Sequence, residues 1–338
     1  MTIAISGTTG ITLANQFDSA SSFGFKNRII NGQMQIAQRA TSATITAGST
    51  IALGYSTVDR FYVYCTGANV TAAQVAGSGS TKNRLQITGA ASVTAVGIGQ
   101  RIEQLNSYDL AGSTATLSAD LAISATLTTV TWTASYATTT ADTFGTLASP
   151  TVTQIATGTF TVTSTVTNFS TNITIPAAAT TGIQIVFTVG ALTAGLTWTV
   201  GNVQLEKGST ATSFDYRPYG TELALCQRYY YKATVLVNNS PFGMAFANSA
   251  TEARGIVELP VIMRSNPTAL EQNGTAADYR VRTSGSSSVN CSAVPTFVSS
   301  SQKTSFIIFT VASGLTTGQS VMFESVQTTA YLGWSAEL

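Results

Sequence analysis

The chain contains no histidine. That removes Ser-His-Asp and Cys-His nucleophile pairs, histidine-ligated metals, and the usual general base near neutral pH. The three cysteines, Cys65, Cys226 and Cys291, are widely spaced and odd in number. They form neither a metal signature nor a secreted disulfide framework, and they fit synthesis in a reducing compartment. Carboxylate chemistry is what remains. The 15 acidic residues include no close pair of the glycosidase kind. Asp109 could meet Asp120 or Glu103 in space, as acids do by coincidence in any β protein. Gly7-Thr8-Thr9-Gly10 and Gly77-Ser78-Gly79-Ser80 lack the lysine, strand and helix of a phosphate loop and read as turns or linkers. No catalytic set is present, so the expectation is a protein that is not an enzyme and carries no cofactor and no resident metal.

Residue types suited to binding are more plentiful. Flat aromatic rings cover the apolar side of a pyranose, and planar polar groups bridge adjacent hydroxyls. Trp132, Tyr136 and Trp198 have the right chemistry, although large aromatics on strand patterns more often belong to a core. Further along, Asp278, Arg280 and Arg282 alternate onto one strand face while Tyr279 and Val281 take the other. With Asn273 nearby, this polar cluster stands out in a chain of which only 9% is charged. A bland surface or an ion pair between subunits is the competing reading. Asp59-Arg60 reads as a local ion pair and turn cap.

These residues must be held by strands. Against a charged fraction of about 25% in ordinary soluble domains, the 9% here leaves a polar but nearly uncharged surface, and 44% of residues are hydrophobic. Abundant Thr and Val favour strands, and 28 glycines suit many turns,. A net charge of +1 gives no argument for nucleic acid or an anionic membrane surface,. No apolar run reaches the length of about 18 residues needed to span a bilayer, so no membrane insertion is expected. The first ten residues have no basic n-region and do not read as a signal peptide.

Strand patterns fall in two blocks. The first includes residues 60–64, 84–88, 116–123, 131–136, 159–163, 171–175, 182–189 and 196–205, separated by Gly, Asn and Pro. That spacing predicts a jelly-roll sandwich over 27–220. The second includes 244–247, 253–259, 279–282, 305–311, 320–326 and 330–334, and predicts a smaller antiparallel β-sandwich over 233–338. Residues 1–26 are too few and too polar to bury a core, so they are a floppy terminus or an arm ordered on a partner.

Between the blocks, Thr221 can cap a helix that runs to Tyr231, with Glu222 opening it and Arg228 and Lys232 closing it. A linking helix over 221–232 is therefore expected, about three turns long and too short to stand alone. Leu223, Cys226 and Tyr230 fall on one stripe. That stripe either packs on its own domain or meets two copies of itself on a threefold axis.

The string Gln204-Leu205-Glu206-Lys207-Gly208, then Phe214-Asp215-Tyr216-Arg217-Pro218, then Cys226-Gln227-Arg228-Tyr229-Tyr230, resembles the joint found in many bacteriophage tail-fibre and virion receptor-binding proteins. Residues 27–39, which begin Asn27-Arg28-Ile29-Ile30-Asn31-Gly32, resemble with Thr57-Val58-Asp59-Arg60-Phe61 the start of that family's carbohydrate-binding-module-like jelly roll. Residues 312–319 and the final Gly333-Trp334-Ser335-Ala336-Glu337-Leu338 resemble its C-terminal β domain. The resemblance spans residues 27–338 through short separated motifs, which head fibres share with tail fibres.

The resemblance implies an all-β homotrimeric virion fibre, made in the host cytoplasm. Residues 1–26 would dock on phage tail or other virion proteins, and the distal domain would attach to a host polysaccharide or lipopolysaccharide. Binding would be multivalent and non-catalytic. A head fibre or capsid-decoration protein is the structural rival, and a surface-polysaccharide depolymerase the enzymatic one. In carbohydrate-module relatives a structural calcium often sits where Glu206 falls. Here no Asp-rich loop completes the six or more oxygens calcium needs.

Overall fold

A computed structural model describes residues 4–6, 10–12, 25–48, 54–79, 81–124, 126–283 and 287–338. The expected arm over 1–26 lies mostly outside them. Its described part is a short hairpin, β1 (Ala4–Ser6) with β2 (Gly10–Thr12), together with residues 25 and 26. The chain divides into two compact units at 219/220, with Leu338 counted in the first. Both are all-β.

The first unit is a sandwich of two antiparallel sheets. Its strands are β3 (Ser42–Ile45), β4 (Tyr62–Thr66), β5 (Val70–Ala76), β6 (Asn83–Thr88), β7 (Ala95–Ile102), β8 (Thr114–Ile123), β9 (Thr129–Ala137), β10 (Val152–Thr161), β11 (Thr167–Thr174), β12 (Ile183–Val189) and β13 (Thr197–Lys207). One sheet has the order β10-β9-β12-β7-β4 and the other β11-β8-β13-β6-β5-β3. Apart from the hairpins β5–β6 and β9–β10, successive strands cross between the sheets, which is jelly-roll connectivity,. Alternate residues turn inward. Ile98, Leu117, Val130, Ile185, Phe187 and Trp198, all nearly or fully buried, fill the space between the two inner faces.

The motifs at 27–39, 57–61 and 203–217 meet in one structural joint. Asn31 sits at φ 59°, and its side chain accepts from the amides of Gln35 and Ile36 and donates to the carbonyls of Ile36 and Asp59. Gly32 lies so close to the Val203 carbonyl, which a Cβ would strike, that the Val203 amide reaches the Gly32 carbonyl at 3.0 Å. Arg217 donates to the carbonyls of Ile29 and Asn27. Glu206 accepts from Gln204 Nε2, the Thr212 amide and Thr212 Oγ1. Asp59 accepts from the Gln38 amide and side chain, while Arg60, buried at φ 71°, donates to the Arg101 carbonyl. These residues tie the entering chain to β13.

The second unit starts in the helix Tyr219–Gln227, which is shorter than expected and shifted toward the N-terminus. The tyrosine run leaves the helix. Residues 230–234 form β14 (Tyr230–Thr234), which pairs with Tyr331–Ser335, and Tyr231 stacks on Trp334 at 5.8 Å and 9°. Cross-strand aromatic packing here outweighs the weak helical preference of three tyrosines.

The remaining strands are β15 (Pro241–Ala247), β16 (Glu252–Glu258), β17 (Glu271–Gln272), β18 (Tyr279–Arg282), β19 (Ser288–Asn290), β20 (Thr296–Ser300), β21 (Thr304–Thr310), β22 (Ser320–Ser325) and β23 (Tyr331–Ser335). They build a seven-stranded sheet, β19-β18-β22-β15-β16-β21-β20, and a three-stranded one, β14-β23-β17. Tyr279, Val281, Ile307, Phe309, Phe323 and Trp334, all fully buried, centre the second core.

Candidate functional site

The outer face of the five-stranded sheet carries a cleft of about 400 Å³. Its floor is laid out by strand register. One rank across the sheet reads Arg101, Gln184, Ser135 and Gln154, and the next reads Tyr62, Gly99, Val186 and Thr133. A third reads Tyr64, Gly97 and Thr188. The loop residues Thr146, Leu147 and Pro150 add to the lining.

Two glycines make this floor. On β7, Val96 and Ile98 point into the core, which leaves Gly97 and Gly99 pointing out,. A Cβ on Gly99 would strike the Tyr62 ring, and one on Gly97 the Tyr64 ring. Each tyrosine therefore lies flat across its cross-strand glycine. The two rings stack at 6.4 Å and 23°, and Tyr55 meets Tyr62 edge-on at 5.8 Å. Tyr62 is fully buried, whereas Tyr64 is half-buried and keeps part of its surface open.

Arg101 fixes the polar end. Its Nε donates to Gln184 Oε1 at 3.0 Å and a terminal nitrogen donates to the Gly145 carbonyl at 2.7 Å. The guanidinium also lies 5.8 Å from the Tyr62 ring centroid and 5.2 Å from that of Phe144, within cation–π range,. Burial lowers the Arg101 pKa from its ordinary value and raises those of Tyr62 and Tyr64. For Tyr62 desolvation is the largest cause, followed by the neighbouring Tyr55. Both phenols therefore stay protonated beyond the pH at which an open tyrosine ionises,. The Tyr62 hydroxyl is buried in the cleft lining without a hydrogen-bond partner.

Neutral amides and hydroxyls, one buried cation and a half-open aromatic ring can bind a neutral polyhydroxylated ligand. The cleft lining contains no carboxylate to act as acid, base or nucleophile. Among the described residues, no group of three or more Cys, Asp and Glu could hold a metal ion. No described helix is long and apolar enough to cross a membrane.

The residues singled out from sequence lie elsewhere. Trp132 is 6% exposed and turns into the sandwich core over Gly158, Trp198 is fully buried there, and Tyr136 packs against the same core. Inward parity on β9 and β13 takes these rings out of reach of a ligand on the sheet's outer face. In the second unit the proposed polar cluster separates into two structural sets. Arg280 and Arg282 both bind Glu324, at 2.5 and 2.6 Å, while Asp278 accepts from Asn273 and Thr329 in the turn before β18. Asp278 lies in a 3-10 turn rather than on the strand face. Of the residues assigned to a threefold contact, Cys226 and Tyr230 are buried within the chain's own fold, and Tyr230 belongs to β14 and donates to Glu271; Leu223 is half-buried. Helical spacing therefore does not describe that trio.

Tyr62, Tyr64, Arg101 and Gln184 were not legible as a site. The signal was the pair Gly97 and Gly99 at i, i+2 beside an i, i+2 tyrosine pair. Glycines on the outer face of a strand leave room for rings from the next strand.

No protein-family model matches the chain, and no curated protein matches it. Several solved structures resemble about half of it. A putative sugar binding protein from Bacteroides thetaiotaomicron VPI-5482 aligns at 13% identity over 54% of this chain and 100% of its own, with a TM-score of 0.35. A CBM4 structure aligns at 13% identity over 53% of this chain and 98% of its own, with a TM-score of 0.33. The enzymatically active domain of Bacteriophage CBA120 tailspike protein 4 aligns at 13% identity over 54% of this chain but 22% of its own, with a TM-score of 0.32.

Proposed function

We propose that this chain is a non-catalytic glycan-binding protein whose jelly roll holds sugar in the cleft on the outer face of its five-stranded sheet. The observation that carries the reading is the Tyr62–Tyr64 pair laid over Gly99 and Gly97 beside Arg101 and Gln184. Tyr64 would cover the apolar side of a pyranose with the face of its ring. Gln154, Gln184 and Arg101 would bridge hydroxyls. Apart from Arg101 the cleft is lined by uncharged residues, which suits weak contacts multiplied by avidity,.

In the biological reading, the chain is a bacteriophage tail fibre, a homotrimer whose N-terminal residues attach to the virion and whose β domains meet a host polysaccharide or lipopolysaccharide. Supporting it are the residue motifs at 27–39, 57–61, 204–208, 214–218, 226–230, 312–319 and 333–338 and a composition of which only 9% is charged. A head fibre using the same motifs is the second reading.

The test is calorimetric titration of the full chain with bacterial surface polysaccharides and lipopolysaccharides, together with immunolabelling of phage particles. Binding that weakens about tenfold in Tyr64→Ala, with label at the tail, is the expected result. No binding to any surface glycan sinks the glycan reading, and label on the capsid shell replaces the tail fibre with the head fibre.

A further inference from the structure

The concave surface of the first unit does not stop at the edge of the five-stranded sheet. β4 is the edge strand, and backbone from two neighbouring segments runs along its open side. The Val63 amide donates to the Gly54 carbonyl at 3.2 Å, and the Gly48 amide donates to the Cys65 carbonyl at 3.4 Å. These segments and the end of β3 border a second concavity of about 160 Å³, whose lining includes Thr44, Thr46, Gly48, Gly54 and Ser56. Ile45 turns inward between Thr44 and Thr46, which leaves both threonines exposed,.

Two side chains, Tyr64 and Leu147, line this concavity and the larger cleft alike. The Tyr64 ring is supported by the backbone of Gly97 beneath it. Leu147 comes from the loop between β9 and β10. Arg101 ties that loop down through the Gly145 carbonyl, and the Thr151 amide closes it on the Phe144 carbonyl at 2.9 Å. Ring and aliphatic side chain thus make a neck where a cleft of about 400 Å³ meets one of about 160 Å³. A sugar in the neck would have apolar surface against it from both residues.

The lining also indicates the charge of the ligand. The smaller concavity has no charged residue in its lining, and the larger has Arg101 alone. That guanidinium is 5% exposed, donates to Gln184 and Gly145, and lies against the rings of Tyr62 and Phe144. A carboxylate or phosphate entering here would give up its hydration to meet a cation already engaged by protein groups. We propose that the ligand is a neutral glycan chain that passes between Tyr64 and Leu147, with its units distributed over both concavities. Leu147 is then a specificity-determining residue. The inference rests on the glycan reading of the cleft and adds the length and charge of what it takes.

The test is calorimetric titration of the full chain with length-sorted neutral oligosaccharides, from disaccharides upward, and with a matched series carrying uronic acids. Affinity for the neutral series is expected to rise about tenfold with length and then level off, because each added unit repays only part of its ordering cost. Thr46→Trp, which fills the smaller concavity from an exposed position, is expected to abolish that rise. Leu147→Ala is expected to weaken the longer oligosaccharides about tenfold, the lower end for a lost apolar contact in a pocket. Circular dichroism checks that each variant is folded, and should one fail to fold, the length series on wild type decides. Binding that is equal at every length, or a folded Thr46→Trp that keeps the rise, overturns the proposal and leaves the larger cleft as a sugar site. Tighter binding of the uronic-acid series overturns the neutral chain. No binding of either series, or of the parent polysaccharides, removes the glycan reading itself.

Discussion

The ring of Tyr62 lies across the backbone of Gly99, its cross-strand partner, and any side chain at position 99 would occupy the space the ring fills. The tyrosine is fully buried although it points to the outer face of its sheet, because Tyr55, Tyr64 and Arg101 surround it there. The floor of the cleft is thus built from a glycine and a ring that share one layer.

Gly99→Ala is expected to lift the Tyr62 ring and cost about 1–3 kcal/mol, the usual range for overpacking. Denaturant unfolding measures that loss. Since Tyr62 supports Tyr64, glycan affinity should fall with it. A variant as stable as wild type would mean that the ring can move aside freely, and the layered floor would be the wrong description.

That glycine pair also explains what the sequence could and could not reveal. The strand patterns at 84–88, 116–123, 131–136 and 182–189 fall on Asn83–Thr88, Thr114–Ile123, Thr129–Ala137 and Ile183–Val189. Alternation did not find Ala95–Ile102, because Gly97 and Gly99 erase the outward half of the pattern and weaken strand propensity,. Ser42–Ile45 and Val70–Ala76 also carry no legible pattern, but Ala95–Ile102 is the strand that underlies the site, and the aromatics conspicuous in the sequence are tryptophans instead. Trp132 and Trp198 were conspicuous by type, but side-chain parity sends both inward. Two polar sets in the second unit looked like one because Asp278 and Arg280 are close in sequence. Their partners, Thr329 and Glu324, come from β22 and the turn after it and are invisible to local spacing. The tyrosine run 229–231 misled in the same way, since the partner that makes it a strand is a hundred residues further on at Tyr331–Ser335.

Glu324 is 2% exposed and bonded to two arginines that are themselves partly shielded. Glu324→Gln keeps the shape but removes the charge that both guanidiniums face. Charge-assisted hydrogen bonds contribute about 1.5–3 kcal/mol, and unfolding of the second unit should be easier by an amount in that range. Replacing Glu252, whose pair with Arg254 is more open to water, should cost about 1 kcal/mol or less. Equal losses from the two substitutions would contradict the distinction drawn between them.

Alkaline pH tests the buried phenols. Burial raises the pKa of Tyr62, Tyr64, Tyr231 and Tyr279 above the ordinary 10.0. Above about pH 10 the unfolded chain releases these protons while the folded chain retains them, so stability is full below that pH and declines as pH rises through the folded values. Tyr62→Phe should leave stability near pH 7 almost unchanged, because its hydroxyl has no partner to lose, and should reduce the alkaline slope. A slope identical to wild type would assign the decline to other groups.

Thiol reactivity distinguishes a closed fold from a breathing one. Cys226 is fully buried, and Cys65 and Cys291 are 2% and 7% exposed. Burial pushes the Cys291 thiol up to about 12 and raises that of Cys65, whose sulfur approaches the Ile45 carbonyl at 3.4 Å. Thiolate is the reactive species, so at pH 8 neither access nor ionisation favours modification. A water-soluble disulfide reagent should label well under one thiol per native chain and all three after unfolding in denaturant. Rapid labelling of one cysteine in the native protein would locate a segment that opens on the assay timescale, and mass spectrometry would say whether it belongs to the jelly roll or to the second unit.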